Sequence, residues 1–215
     1  MKSFLEVRFD ESDFKKRELI WRELIKVCFQ RYVKKTDTVL DVGAGFCEFI
    51  NNVICRNKIA IDSSNLIKKY ADSDVIKIVK PFSKIPKKYF GRFDVIFMSN
   101  FLEHLEKKPD VVKTMQLSRK LLKRRGTLII VQPNIDLIKE KYWDRIDHHI
   151  ALNGRSVIEA LNISGFQLKI FEKRFTPATM QSHLPISDFL IRMYLSLPSF
   201  ARPFAGQSLF IASKR

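Results

Sequence analysis

Five apolar runs, "TVLDV", "KIAID", "DVIKIV", "FDVIFMSN" and "TLIIVQPN", recur through residues 38 to 134, and polar or helically spaced segments separate them. Several of these runs have no polar alternation, so each must be covered on both faces, as in a sheet sandwiched between helices. The separators "CEFINNVIC", "SNLIKKYA" and "KPDVVKTMQLSRKLLKRRG" have helix-like character. The last of them is expected to stop at Gly126 after a basic final turn. Strand and helix in alternation give an α/β chain: a doubly wound, mostly parallel sheet with helices on both faces.

The flanks extend this pattern. Upstream, Leu19, Ile20, Leu24, Ile25 and Phe29 fall at helical spacing, and a helix is expected over residues 10–34. Downstream, "RSVIEALNISG" reads as a helix, and "FQLKIFEKRF" and "SLFIASK" as two closing strands with an insertion over 176–207 between them. Within it Ile186, Phe189, Leu190, Met193, Tyr194 and Leu197 form one apolar stripe of a helix expected to cap the site. A chain of 215 residues supports one sizeable core, so a single domain over 1–215 is expected.

Charge sets the class of partner. The sequence carries 39 Lys and Arg against 23 Asp and Glu, a net charge of +16 that concentrates anions of any kind near the surface. The first residues are charged every few positions, and no apolar run is long enough to span a membrane, so a cytoplasmic protein is expected. The cysteines, Cys28, Cys47 and Cys55, have no metal-binding or paired spacing and suit a reducing compartment.

The first strand runs into "DVGAGFCEF". Gly43 and Gly45 let the backbone bend and approach a ligand, and the following helix start exposes amide groups at the carboxyl edge of the sheet. Asp62 stands at the end of the second strand, 21 residues after Asp41, where a carboxylate takes the hydroxyls of an adenosine ribose. A dinucleotide turn calls for a third glycine where this chain has Glu48, whose charge would repel a pyrophosphate. An adenosyl sulfonium has no phosphate and is better suited to Asp41 and Glu48.

The ordered set "VLDVGAGFCEF", "IAIDSS", "FDVIFMSNFLEHL" and "LLKRRGTLIIVQPN" resembles the successive motifs of class I S-adenosylmethionine-dependent methyltransferases, over about residues 38 to 175. The resemblance implies a seven-stranded sheet with an antiparallel last strand and S-adenosylmethionine as cofactor. It also implies that Asp41, Gly43, Ala44 and Gly45 line the methionine part, that Asp62 takes the ribose, that Ser63 and Phe82 flank the adenine, and that Ser99 and Asn100 close the pocket floor. Cys47 replaces a usual glycine, and Pro81 stands near the usual Asp for the adenine amino group.

A hydroxyl acceptor of the methyl group benefits from a base. Candidates are Glu103 and His104 after the fourth strand and Asp144, Asp147, His148 and His149 after the fifth, with His104 and His148 as leading bases. Small-RNA 2′-O-methyltransferases resemble this arrangement and chelate a divalent cation with a Glu-x-x-Glu-His run and a later His. Asn100 replaces the first Glu here, so no metal site is expected. The insertion and the basic surface favour a lipid- or nucleotide-linked saccharide as acceptor, at an anionic membrane surface. The expected reaction is methyl transfer to an oxygen of a saccharide, a glycolipid precursor or a similar small acceptor. The alternatives are metal-assisted RNA 2′-O-methylation and a non-catalytic nucleoside- or polyanion-binding module; nucleic acid is not favoured, since no RNA-recognition motif is present.

Overall fold

The computed structural model describes residues 4–179 and 186–214. Seven strands, β1 (Thr38–Val42), β2 (Asn57–Asp62), β3 (Val75–Val79), β4 (Phe93–Ser99), β5 (Leu122–Pro133), β6 (Phe166–Glu172) and β7 (Gln207–Lys214), form one sheet in the order β3-β2-β1-β4-β5-β7-β6. The pairings β2 to β3, β1 to β2, β1 to β4 and β4 to β5 are parallel, and β7 runs antiparallel to both neighbours. The strand order reverses between β1 and β4, so their carboxyl ends open a crevice, the usual ligand position in such sheets.

Helices cover both faces because successive strand residues point to opposite sides. On one face Leu40, Val42, Ile96, Met98, Leu128 and Ile130 pack with Val111, Met115 and Leu121 of α5 (Lys108–Leu121) and Val157 and Leu161 of α7 (Gly154–Ile163). On the other, Val39, Phe97, Ile129 and Ile211 meet Trp21 and Leu24 of α2 (Glu11–Leu24), Phe29 just beyond it, and Phe49 of α3 (Glu48–Asn52). Each such side chain contributes roughly 1.5–3 kcal/mol when fully buried.

The expected N-terminal helix is α2, started by a reciprocal cap between Asp10 and Asp13 and prolonged as a π turn, Ile25–Phe29, and a 3₁₀ turn, Gln30–Tyr32. A further short helix precedes it, α1 (Phe4–Arg8). The expected stop at Gly126 is wrong. The helix ends at Leu121, and Leu122 already pairs with Phe93 as the first residue of β5. Leu121 and Leu122 are both fully buried, and docking Leu122 in the sheet outweighs the helix propensity of the basic residues after it. Gly126 serves that docking, since a Cβ there would lie 2.9 Å from the Leu122 side chain.

The expected apolar stripe of the insertion also needs correcting. Its helix, α8 (Asp188–Ser196), turns Ile191, Tyr194 and Leu195 inward onto the core and leaves Phe189 73% and Met193 50% exposed. Arg192 contributes to that rotation: it follows Ile191 and pairs at 2.6 Å with Glu23 of α2, whose carboxylate is buried. Residues 180–185 of the insertion lie outside the described residues.

Candidate active site

A cleft of about 1480 Å³ opens over the carboxyl ends of β1 and β4, and every site residue expected from the sequence lines it. Its floor is the glycine turn. Gly43 and Gly45 take φ of +67° and +50°, and the amide of Gly43 donates to the Ile61 carbonyl at 2.9 Å, fastening the turn to β2. Asp62 completes the fastening, accepting at Oδ2 from the Gly45 amide at 3.0 Å and at Oδ1 from the Ser64 amide at 2.7 Å.

Cys47 adopts φ of +63°, the left-handed geometry that explains the usual glycine, and its small thiol fits because it is fully buried in the core under α2 and α3. Burial pushes its pKa far up, with Asp41, Glu48 and Asp62 adding to the effect, so the thiol is inert. Glu48 is spoken for by Arg17 at 2.6 Å. Asp41 is 4% exposed, and burial followed by the charges of Glu48 and Asp62 raises its pKa well above the carboxylate range. Three acidic side chains thus crowd one turn, Asp41 held protonated by burial and by its neighbours and Glu48 paired with Arg17, a setting that disfavours a phosphate.

Where the adenine is expected, Phe82 is buried and meets Phe101 edge to face, with Ser63 exposed at the rim. Phe101 also closes over Gly43, where a Cβ would lie 2.6 Å from its ring. Ser99 ends β4, and Asn100 follows with φ of +49°, its Oδ1 accepting from Gln207 Nε2 at 2.7 Å.

The opposite wall holds the residues expected as bases. Glu103 and His104 lie in a 3₁₀ turn, Leu102–His104, and His148 follows a second one, Lys139–Asp144. The His149 amide donates to the Glu103 carbonyl at 2.9 Å, which joins the two loops. His104 Nδ1 contacts the Asp147 carbonyl and His148 Nδ1 the Tyr142 carbonyl, each at 2.6 Å. Carbonyls only accept, so both Nδ1 atoms carry a proton, and in the neutral imidazole Nε2 is then the acceptor. Burial lowers the pKa of His148, against the pull of the Tyr142 carbonyl, and holds the ring neutral. Glu103 is fully buried, and burial raises its pKa against the opposing charge of His104. One donor atom from each of Glu103, His104 and His148 lies within 4.8 Å of the others. His149 and Asp144 are exposed and outside this cluster.

Several residues of the cleft are invisible to sequence reasoning. Arg8 of α1 pairs with Asp147 at 2.7 Å, and Leu5 of α1 lies over Gly45, so the N-terminal segment bridges the glycine turn and the histidine loop. No local motif marks it. The expected cap does not come from α8: among the described insertion residues, Ala178, Thr179 and Gln207 line the cleft, whereas residues 186–204 do not. Gln132, buried near Glu103 and Tyr142 at the end of β5, gave one signal, a polar residue in an apolar strand.

Comparison with known proteins agrees with this geometry. A search of the curated proteins finds no significant match. Among solved structures, a SAM-dependent methyltransferase from Archaeoglobus fulgidus superposes with a TM-score of 0.65 at 20% identity, covering 95% of this chain and 100% of its own. A Thermotoga maritima SAM-dependent methyltransferase, described as a possible histamine N-methyltransferase, superposes with a TM-score of 0.67 at 13% identity, covering 95% and 92%. Such identities speak for the fold. The methyltransferase-domain family profile matches residues 14–168, the span that carries the glycine turn, the Asp62 staple and both histidine loops, and the chain belongs to that methyltransferase family.

Proposed function

We propose that the protein transfers the methyl group of S-adenosylmethionine to an oxygen of a saccharide, a glycolipid precursor or a similar small acceptor. The observation that carries this reading is an acid-ringed glycine turn, Asp41 with Glu48 and Asp62, facing two imidazoles whose Nε2 lone pairs are free. Asp41 suits the ammonium of the cofactor, and Asp62 keeps lone pairs for the ribose hydroxyls beyond its two amide bonds. Phe82 offers an apolar wall to the adenine.

The acceptor oxygen attacks the sulfonium methyl carbon. A carbon–oxygen bond forms, the carbon–sulfur bond breaks with its electron pair passing to sulfur, and neutral S-adenosylhomocysteine leaves. The hydroxyl proton goes to Nε2 of His104 or His148. Catalysis of this kind is mainly positioning and exclusion of water.

A net charge of +16 draws acceptors that carry phosphate. Phe189, Phe200 and Phe204 of the insertion, 73%, 83% and 80% exposed, are apolar side chains suited to a lipid-linked acceptor at an anionic membrane face. No helix among the described residues is long and apolar enough to cross a membrane.

Calorimetric titration with S-adenosylhomocysteine and with NAD, followed by methyl-labelled S-adenosylmethionine and a panel of free, lipid-linked and nucleotide-linked sugars, tests the reading. Tight uptake of the homocysteine product and an alkali-stable methyl ether on a sugar are expected. Preferential binding of NAD, or label appearing only on nitrogen or on RNA, overturns it.

A further inference from the structure

One cation of the cleft has no anion to meet it. Arg145 follows the 3₁₀ turn Lys139–Asp144, lines the cleft and is half-buried. Among the described residues its guanidinium makes no hydrogen bond or ion pair. Burial lowers its pKa, and the charge of Arg8 lowers it further, against Asp147 and Asp144. A guanidinium withdrawn from water beside a like charge is unfavourable until an anion joins it.

The nearby carboxylates leave that need unmet. Asp147 is engaged by Arg8 at 2.7 Å, and Asp144 is exposed to solvent. Lys141, exposed in the same 3₁₀ turn, also lines the cleft and adds a third cation to this side. The glycine turn, crowded by Asp41, Glu48 and Asp62, disfavours a phosphate. An anion entering the cleft is therefore steered away from the turn and toward Arg145.

We propose that Arg145, with Arg8 and Lys141 beside it, binds a phosphoryl group of the methyl acceptor. A guanidinium offers parallel donors that fit two phosphate oxygens, and an ammonium nearby helps to neutralise a dianion. A carboxylate, with one charge, would leave more of this wall unmatched. The inference rests on the acceptor reading above and narrows it to sugars that carry a phosphate monoester or diphosphate, joined to a nucleotide or to a lipid. The His148 amide donates to the Arg145 carbonyl at 3.1 Å, so the anchor and that imidazole belong to one short turn. Holding the acceptor by its phosphate fixes where its hydroxyls fall relative to the His148 ring.

The test is calorimetry of the full chain, with S-adenosylhomocysteine present, against inorganic pyrophosphate, UDP-glucose and glucuronate. Wild type is compared with Arg145→Gln, Arg145→Lys and Lys87→Gln, an exposed lysine outside the cleft. Pyrophosphate should bind with an affinity lowered more than about tenfold in Arg145→Gln, partly recovered in Arg145→Lys and unchanged in Lys87→Gln. Affinity for S-adenosylhomocysteine within about twofold of wild type shows that each variant is folded. Arg145-dependent binding of UDP-glucose assigns the phosphate to a nucleotide carrier. The same dependence seen only with neutral vesicles doped with a polyprenyl-phosphate sugar assigns it to a lipid. Equal pyrophosphate affinity in wild type and Arg145→Gln, or glucuronate bound as tightly as pyrophosphate, overturns the proposal. Methyl transfer to an uncharged sugar at one rate in wild type and Arg145→Gln would also overturn it while leaving the transferase reading intact. Loss of S-adenosylhomocysteine binding by the wild type, with Arg145-dependent pyrophosphate uptake intact, would instead sink the cofactor reading and leave this site standing.

Discussion

The Gly45 amide donates to Asp62 Oδ2 at 3.0 Å, so the carboxylate expected to grip the ribose also holds the shape of the turn beneath the sulfonium. A second amide, from Ser64, occupies Oδ1 at 2.7 Å. Asp62→Ala removes both, leaving two backbone donors of the cleft to water. Affinity for S-adenosylhomocysteine should fall more than about tenfold, and stability should drop by roughly 1–3 kcal/mol. Asp62→Asn keeps one acceptor oxygen and should recover stability better than affinity. Calorimetry paired with urea denaturation reads both. Unchanged affinity in Asp62→Ala would remove this residue from the cofactor site.

Gly43→Ala acts twice at one position. Its φ of +67° costs an L-residue about 1–2 kcal/mol. The new Cβ would also lie 2.6 Å from Phe101 Cδ2 and push the ring away from Phe82. Cofactor affinity should fall with stability. Cutting Phe101 back as well, in Gly43→Ala/Phe101→Leu, should restore part of the stability, and a double-mutant cycle measures that part.

Legibility in the sequence followed the range of the forces involved. Strand runs such as Val39 to Val42 announce themselves because both faces are buried, and Asp41, Gly43, Gly45 and Asp62 lie at fixed distances along one βαβ unit. Glu103, His104 and His148 were expected at one wall because both loops leave the carboxyl edge. What escaped depends on contacts across the chain. Arg8 meets Asp147 over 139 residues, and no periodicity encodes that. The face of α8 was misjudged because its apolar arc is wide: only Asp188, Arg192 and Ser196, at i, i+4 and i+8, are polar, so several rotations would bury apolar side chains. The Arg192 to Glu23 pair, 169 residues apart, helps select Ile191 and Leu195 as the inner side.

That pair gives a pH dependence. The Arg192 hydrogen bond, opposed by burial and assisted by the charges of Arg192, Lys26 and Arg22, holds Glu23 below its usual pKa. A depressed carboxylate binds fewer protons in the folded chain than in the unfolded one. Its stabilisation is therefore complete above the unfolded value of about 4.3 and is lost as pH falls through the folded value. Wild type should melt above Glu23→Gln at pH 7, and the gap should close toward pH 3. A gap that stays constant with pH would show that the pair contributes shape and no charge.

Arg202 ties the insertion to the body of the domain through Glu172 and Phe175 and braces the end of α8. Its guanidinium is 8% exposed and donates to Glu172 at 2.6 Å and to the carbonyls of Leu195, Leu197 and Phe175 at 3.0, 3.1 and 3.3 Å. Arg202→Ala leaves Glu172 and those carbonyls without their donor, at a cost of about 3 kcal/mol, the low end for a broken buried pair because Glu172 keeps some solvent. For a domain of this size that is roughly 6–12 °C in Tm. Lysine offers one compact ammonium in place of a planar fork, and Arg202→Lys should recover less than half of the loss. Because residues 186–204 do not line the cleft, affinity for S-adenosylhomocysteine should stay within about twofold in both variants below their melting ranges. A large affinity loss in a folded Arg202→Lys protein would mean that the insertion reaches the cofactor after all.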